Sequence, residues 1–128
     1  MKKNEMSKKR LSKISIEEVC SLYDYADANR FITVDLSYRD LSGLNFSGYN
    51  MTGTDFTGSD LSGCSFNDAI LESAILVNVR LNGHELLDVY DFSYATISGD
   101  LLCWLSSHES FARLLPNLTI FPHDKHEV

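Results

Sequence analysis

The feature that most limits the fold of this chain is an apolar residue at every fifth position from Leu36 to Leu86. On an α-helix, five residues rotate the chain by about 500°, so these side chains would point in all directions. On a flat strand, an odd period sends successive members to opposite faces. The pattern can line one core only if the chain turns a corner, always in the same sense, about every five residues. The eleven centres are Leu36, Leu41, Phe46, Met51, Phe56, Leu61, Phe66, Leu71, Leu76, Leu81 and Leu86.

Glycine and aspartate follow the same period. When the apolar centre is numbered i, every glycine of the chain stands at i+2, and the i−1 position opens with Asp or Asn in six successive repeats. Glycine adopts tight or left-handed turns without strain, so i+2 is predicted to be the corner. One extra residue after Leu86 shifts the frame, which resumes at Phe92 and Ile97. The glycines are Gly43, Gly48, Gly53, Gly58, Gly63, Gly83 and Gly99, and the i−1 residues are Asp35, Asp40, Asn45, Asn50, Asp55 and Asp60.

These units resemble the pentapeptide-repeat family, whose repeat reads roughly A(D/N)LXX, over residues 34–99. The resemblance implies an all-β solenoid, a right-handed quadrilateral parallel β-helix in which four repeats complete one coil. Positions i and i−2 then point inward, and the thirteen repeats make about three coils. Arg39, Leu44 and Tyr49 occupy i−2 positions where the family has small residues. The first coil is therefore expected to be distorted or open.

Helical segments are expected to cover both ends of this solenoid. Ser15 and Glu18 have capping-box spacing, and an apolar stripe with helical period follows them. At the other end, Asp100 is a candidate N-cap and Pro116 a candidate stop. The predicted organisation is a basic, disordered tail at 1–13, an N-terminal capping helix at 14–30, the repeat β-helix at 31–99, a C-terminal helical cap or dimer segment at 100–116, and a tail at 117–128.

The C-terminal segment is richer in large apolar residues than the end of one short solenoid requires. Two interpretations follow: it caps its own coil, or it also forms a two-fold dimer contact, as C-terminal segments do in several members of the family. The residues concerned are Leu101, Trp104, Leu105, Phe111 and Leu114.

Nothing in the sequence indicates catalysis. The spacings of nucleophile elbows, phosphate-binding loops and zinc proteases are absent, and Cys64 occupies an inward position typical of a small buried residue. His123 and His126 lie in the C-terminal tail. We therefore expect a protein that is not an enzyme, with no catalytic residue, no metal site and no cofactor. Three widely spaced cysteines fit a reducing compartment.

Charge is distributed unevenly along the chain. The formal net charge is −7, but residues 1–13 carry six Lys or Arg against one Glu, which leaves −12 on the remainder. Such an acidic body is expected to repel duplex DNA and to attract basic protein surfaces. No apolar run approaches the roughly 20 residues of a membrane span, and no apolar signal core follows the basic start. The expected location is the cytoplasm of a bacterial cell, with delivery into a host cell as the alternative.

Two interaction functions are open at this point. With four repeats per coil, equivalent positions four repeats apart stack, which places Asp35 beside Asp55 and Asp40 beside Asp60, with Asp68, Glu72 and Glu85 adding charge on outer positions. The resemblance implies that such an acidic face could mimic duplex DNA and bind a type II topoisomerase, as several family members are thought to do. The alternative is an adaptor or secreted effector that binds a partner through an outward apolar patch, or a patch that merely seats a flanking helix. That patch comprises Ile70, Ile75 and Val77.

Overall fold

The computed structural model describes residues 11–28, 33–109 and 117–121. Its elements are short and lie mainly outside the central repeats. Parallel pairing joins β1 to β2 in one sheet and β3 to β4 to β5 in another. In chain order they are β1 (Ser12–Lys13), α1 (Ile16–Ala28), β2 (Arg39–Asp40), β3 (Ile75–Leu76), a 3-10 helix (His84–Leu86), β4 (Thr96–Ser98), α2 (Gly99–Ser106) and β5 (Thr119–Phe121).

The five-residue period becomes a regular parallel register in which each repeat pairs with the fourth repeat after it. Six successive repeats form such a bridge, beginning with Asp35 to Asp55 and Asp40 to Asp60. Backbone bonds run in both directions at each bridge: Leu36 N–H donates to Asp55 O (2.8 Å), and Asp55 N–H donates to Val34 O (3.0 Å). The fold is thus a series of short parallel pairings flanked by two α-helices. The remaining bridges join Asn45 to Ser65, Asn50 to Ile70, Asp55 to Ile75, Asp60 to Arg80 and Ile70 to Asp91.

The predicted apolar centres lie together in one core. Ten of the eleven are fully buried, and only Leu81 is partly exposed. At its middle Phe66 stacks on Phe46 at 5.4 Å between ring centroids and meets Phe56 edge-on at 6.0 Å. The larger Leu44 and Tyr49 at the first i−2 positions pack against this core but remain partly exposed. The small i−2 residues are buried: Thr54, Ser59, Cys64, Ala69 and Ala74.

The corner position has left-handed backbone whether or not it holds glycine. Five glycines from Gly43 to Gly63 have φ between 72° and 78°. Each of these five corners is a turn closed by an i to i+3 backbone bond, such as Leu44 N–H to Leu41 O (3.2 Å), and a type II turn needs φ > 0 at its third residue. Gly99 departs from the expectation, because it begins helix α2. The same position is left-handed, with φ between 54° and 62°, at Tyr38, Asp68, Ser73, Asn78 and Tyr94.

The extra residue after Leu86 is accommodated by the 3-10 helix and by Glu85. Earlier corner glycines donate their N–H to a carbonyl of the stacked repeat, as Gly43 does to Ser62 at 2.9 Å. Gly63 instead donates to the Glu85 carboxylate at 2.9 Å, and that carboxylate also accepts from Asn82 N–H (3.0 Å) and Gly83 N–H (2.9 Å). Glu85 is only 9% exposed. The prediction that it adds charge to the outer surface is therefore wrong, because three backbone donors hold it inside.

At the N-terminal end, the expected capping box is present. Ser15 N–H donates to Glu18 Oε1 (2.9 Å), and Glu18 N–H donates to Ser15 Oγ (3.1 Å). Helix α1 buries Val19 against the core, whereas Cys20 on the expected stripe is exposed.

The predicted tail boundary at residue 13 needs correction. Ser12 and Lys13 form β1 and pair with Arg39 and Asp40 of β2. This strand occupies an edge of the first repeats that would otherwise leave backbone groups unpaired.

At the C-terminal end, α2 begins at Gly99 with Ser98 as its N-cap, so Asp100 lies inside the first turn and is not the cap. Part of the predicted tail at 117–128 is also ordered into β5, which pairs with β4 through Thr119 N–H to Ala95 O (2.8 Å). Strand β5 forms because the edge of β4 has backbone N–H and C=O groups that can pair with a segment that follows in the chain.

Candidate functional site

Each aspartate of the predicted acidic face accepts a hydrogen bond from the N–H of the residue two positions on, and we call this contact a corner brace. Asp35 Oδ1 accepts from the N–H (2.9 Å) and hydroxyl (2.6 Å) of Ser37, and Asp55 Oδ1 accepts from the same groups of Thr57 at 2.9 and 2.6 Å. This is the side-chain turn that Asp and Asn both form well. Asn50 makes the equivalent bonds to Thr52, at 3.2 Å from N–H and 2.7 Å from the hydroxyl. The corner therefore needs the accepting oxygen but not a negative charge.

The four aspartates pair through their backbones in two columns, which we call the Asp35–Asp55 column and the Asp40–Asp60 column. In the Asp40–Asp60 column, Lys13 Nζ lies 3.8 Å from Asp40 Oδ1 and Arg80 Nη1 lies 3.4 Å from Asp60 Oδ2. This column is thus partly neutralised at both ends. In the Asp35–Asp55 column, no basic nitrogen of the residues described lies within 4 Å of either carboxylate. Of the two columns, Asp35–Asp55 keeps more of its charge for another molecule.

Hydrogen bonding favours the charged forms of Asp35 and Asp40. The bonds from Ser37 lower the pKa of Asp35, and nearby Arg39 contributes a smaller part of that lowering. The bonds from Ser42 likewise lower the pKa of Asp40, with Lys13 and Arg80 adding less. Because both pKa values lie below the usual 3.8, both carboxylates are fully charged at neutral pH.

Tyr38 is a residue of this surface that the sequence analysis did not single out. It occupies the corner position that glycine fills in the five repeats after it, with φ 54°, and its side chain is 64% exposed. Its ring lies over Gly58, so closely that a Cβ at position 58 would collide with it. The signal was present in the sequence: a bulky residue in a glycine position of an otherwise regular repeat.

Other carboxylates lie on different sides of the molecule. Asp68 and Asp88 are exposed and adjacent, since Asp68 N–H donates to Asp88 O at 2.8 Å, and Tyr90 lies beside them in a shallow groove. Asp91 accepts from Ser93 N–H at 2.9 Å and so braces its own corner. The ranges described contain 15 acidic and three basic residues.

The predicted apolar patch is smaller than expected. Val77 is only 6% exposed, so its placement on an outward position was wrong. Ile70 and Ile75 are partly exposed. They lie in different columns, Ile70 between Asn50 and Asp91, and Ile75 next to Asp55. The structure therefore does not bring the three residues together as an exposed apolar surface.

The described C-terminal residues pack on their own chain. Leu101 and Leu105 are buried in the core, at 8% and 0% exposure. Trp104 lies over Gly83 and stacks on His108, with 3.7 Å between ring centroids. The other two residues of the predicted cap or dimer set lie outside the described residues, and a dimer contact in this segment stays a prediction. Those two residues are Phe111 and Leu114.

Reactive groups are scattered. Burial raises the pKa of the Cys64 thiol to about 11, and its sulfur lies 3.1 Å from Leu41 O. Cys20 and Cys103 are exposed and distant in sequence. No cluster of three or more His, Cys, Asp or Glu suited to a metal ion occurs in the part of the chain described here. None of the helices in the described ranges is long and apolar enough to cross a membrane. The two tail histidines, His123 and His126, fall outside those ranges.

Comparison with known proteins gives one match. The family model described as pentapeptide repeats matches residues 30–68 and 50–83, with eight copies of the repeat. Comparison with curated proteins and with solved structures found no match. The match covers the segment in which most of the bridges between stacked repeats and most of the braced corners occur.

Proposed function

This chain belongs to the pentapeptide-repeat family through its repeat segment, and we propose that it is a non-enzymatic repeat protein that acts by binding another protein. Repeat proteins stack their units into side surfaces suited to binding. Its buried positions hold the close-packed apolar centres, and its outward positions hold short polar and acidic side chains. These features support a binding surface more than a catalytic cleft.

We infer that the repeats close into a right-handed, four-sided coil of about three turns. Six successive repeats each bridge to the fourth repeat after them, which is the pairing that a coil with four repeats per turn requires. The shared burial of Leu36, Phe56 and Leu76, which are the centres of successive stacked repeats, supports one continuous interior. At about 4.8 Å per turn, the coil would be about 15 Å tall.

We propose that the Asp35–Asp55 column binds a basic surface of the partner. The observation that carries this is that Asn50 forms the same corner bonds as Asp35 and Asp55, so the corner does not require the negative charge at positions 35 and 55. The absence of a close basic neighbour within the described ranges supports it further. The negative potential of these carboxylates attracts basic protein surfaces of the kind that bind nucleic acid.

The most specific form of this proposal is mimicry of duplex DNA against a type II topoisomerase. Carboxylates stacked along a narrow column would meet the basic groups that such an enzyme uses for phosphates. A coil about 15 Å tall spans less than half of one DNA turn of about 34 Å. A second copy of the chain would therefore be needed to cover a full turn.

The test is a DNA supercoiling assay with purified gyrase. We expect the wild-type protein to inhibit supercoiling, and Asp35→Asn/Asp55→Asn to be about tenfold weaker, since two favourable charge pairs of about 0.5–1 kcal/mol each would be lost. Asp91→Asn is the matched control, because Asp91 braces its own corner in a different column. Inhibition should also weaken steeply with added salt.

Two results would overturn the proposal at different levels. If the wild-type protein leaves supercoiling unchanged at high micromolar concentration, the topoisomerase form is wrong. If it inhibits, but Asp35→Asn/Asp55→Asn inhibits as well as Asp91→Asn does, the Asp35–Asp55 column is not the binding surface.

A further inference from the structure

Tyr38 stands in a backbone position that disfavours a large side chain. Its φ of 54° is left-handed, and the equivalent positions 43, 48, 53, 58 and 63 are glycine. Of the other corner positions without glycine, three hold the small or polar residues Asp68, Ser73 and Asn78, and one holds a second tyrosine, Tyr94. A bulky residue held in this conformation is an outlier, and such outliers concentrate at functional positions.

Packing does not account for the residue. The Tyr38 side chain is 64% exposed, whereas Tyr23 of helix α1 and Tyr49 of the core surface are partly buried and meet edge-on at 6.3 Å between ring centroids. Little apolar area of Tyr38 is removed from water, so its hydrophobic contribution to folding is small. An exposed, strained aromatic residue is better explained by what it can contact from outside.

The ring is held in place by the stacked repeat. Tyr38 N–H donates to Thr57 O at 2.8 Å, and the ring lies over Gly58, where a Cβ would collide with it. Thr57 is also the residue that holds the carboxylate of Asp55. One corner therefore presents an aromatic face together with the Asp35–Asp55 column.

We propose that this corner binds an arginine side chain of the partner protein, with the guanidinium stacked on the Tyr38 ring and paired with Asp55. A guanidinium is planar, stacks on aromatic faces and binds carboxylates through a fork of donors, which a lysine ammonium cannot do. Thr57 accepts from Tyr38 N–H and donates to Asp55 Oδ1, so Asp55 is the carboxylate that lies at the same corner as the ring. The inference rests on the proposed function, because it names the partner chemistry of the same surface.

The test uses labelled hexaarginine and hexalysine peptides, with binding to the full chain followed by fluorescence anisotropy. Tyr38→Asn removes the ring but keeps a residue that tolerates left-handed backbone. We expect it to weaken hexaarginine binding by about twofold to fivefold, the effect of one exposed cation–π contact, and to change hexalysine binding less. Tyr38→Phe keeps the aromatic face and should bind as the wild type does.

A second tyrosine of the chain provides the matched control. Tyr94 has the same left-handed backbone, with φ 59°, and a similarly exposed side chain, at 59%. It belongs to the repeat of Asp91, which stacks on Ile70 and not on Asp55. Tyr94→Asn should therefore leave hexaarginine binding unchanged, and an equal loss in Tyr94→Asn and Tyr38→Asn would overturn the assignment to this corner.

A pair of glycine variants tests the position of the ring without touching Tyr38. Gly58→Ala places a methyl group where the ring lies, whereas Gly48→Ala has the same left-handed backbone with no atom within 4 Å of its Cβ. Both variants carry the same backbone strain. Only Gly58→Ala should weaken hexaarginine binding, again by about twofold to fivefold.

The outcomes separate this inference from the function on which it rests. If Tyr38→Asn and Gly58→Ala bind hexaarginine as the wild type does, while Asp35→Asn/Asp55→Asn loses binding, the aromatic anchor is wrong and the acidic surface stands. If the tyrosine and glycine variants lose binding but the aspartate variant does not, the stacking on Tyr38 stands, and both the pairing with Asp55 and the charge proposal are wrong. If no variant differs from the wild type, both are wrong.

Discussion

At the scale of single residues, the left-handed corner divides the roles of the repeat positions. The backbone adopts φ > 0 at i+2 even where the side chain is Asp68, Ser73 or Asn78, so the turn is imposed by the pairing of the repeats and not by glycine. A left-handed conformation costs an L-residue about 1–2 kcal/mol, and the greater chain entropy that glycine loses on folding offsets part of its advantage there. Corners without glycine are therefore sites where stability can be gained.

Ser73→Gly is expected to raise the free energy of unfolding by about 0.5–1 kcal/mol, the left-handed strain relieved less the entropy that glycine adds. The backbone bond from Ser73 N–H to Ser93 O (2.8 Å) remains available to the variant. Urea denaturation measures the change. Ser62→Gly is the control, because Ser62 is not among the left-handed residues and its backbone N–H bond to Asp60 remains available to the variant. A gain in Ser62→Gly and none in Ser73→Gly would contradict the strain argument.

Acid should destabilise the protein through the braced aspartates. The pKa values of Asp35, Asp40 and Asp91 are lowered, chiefly by bonds from the hydroxyl and N–H of the serine two positions on. The folded state then binds fewer protons than the unfolded one, so the stabilisation is present above the unfolded pKa and is lost as pH falls through the folded pKa.

We expect the free energy of unfolding to be level at neutral pH and to decline below about pH 4, the usual pKa of an aspartate. Urea titrations from neutral pH into this acidic range follow it. In Asp91→Asn the decline should be shallower, because one lowered pKa is removed while the brace to Ser93 is kept. Stability that stays level or rises over the same range would show that these bonds do not favour the charged form.

At the scale of elements, the 3-10 helix shows how the stacked repeats accommodate one extra residue. Ile70 pairs with Asp91, one position beyond the regular partner, and Gly63 N–H finds a side chain in place of its usual carbonyl. The Glu85 carboxylate replaces that acceptor and also satisfies two further N–H groups. The segment around the 3-10 helix depends on the Glu85 side chain, because a buried N–H without an acceptor lowers the stability of the fold.

Glu85→Ala should therefore lower the free energy of unfolding by about 1–3 kcal/mol or more, since it leaves three backbone donors unsatisfied. Glu85→Gln keeps one accepting oxygen and should lose less. The comparison, again by urea denaturation, uses Glu72→Ala as a control, because the Glu72 side chain is less buried. Equal stability of Glu85→Ala and Glu72→Ala would show that the fold does not need the Glu85 carboxylate as an acceptor for these N–H groups.

Which elements the sequence predicts follows from the range of the interactions that make them. The apolar centres and the Ser15 capping box are repeated or adjacent patterns, so they were predicted correctly. Strands β1 and β5 form because sheet edges far away in sequence accept them. Glu85 is buried because Gly63, a donor in an earlier repeat, needs an acceptor. Val77 was misplaced because its burial depends on what covers it and not on its position in the repeat.

At the scale of the whole molecule, the charge is the property that points to a partner. The described part carries 15 acidic and three basic residues, and two of those basic residues are already bound to the Asp40–Asp60 column. The acidic side was predictable because it repeats with the corners. The corner formed by Tyr38 and Gly58 was not, because it joins residues of two stacked repeats.

In our proposal, the charge at positions 35 and 55 serves binding, and the stability that the lowered pKa of Asp35 adds to the fold is a minor part of its role. The most direct measurement is the free energy of unfolding of Asp35→Asn/Asp55→Asn beside the wild type, by urea denaturation at neutral pH. In the variant, Asn keeps the corner bonds, and the repulsion between the two carboxylates is relieved. For charges about 5 Å apart in water that repulsion is about 1 kcal/mol or less, so the free energies of unfolding of the variant and the wild type should agree within about 1 kcal/mol. A loss of more than about 2 kcal/mol, well beyond the usual effect of a surface substitution, would show that the fold itself needs these charges and would contradict the proposal.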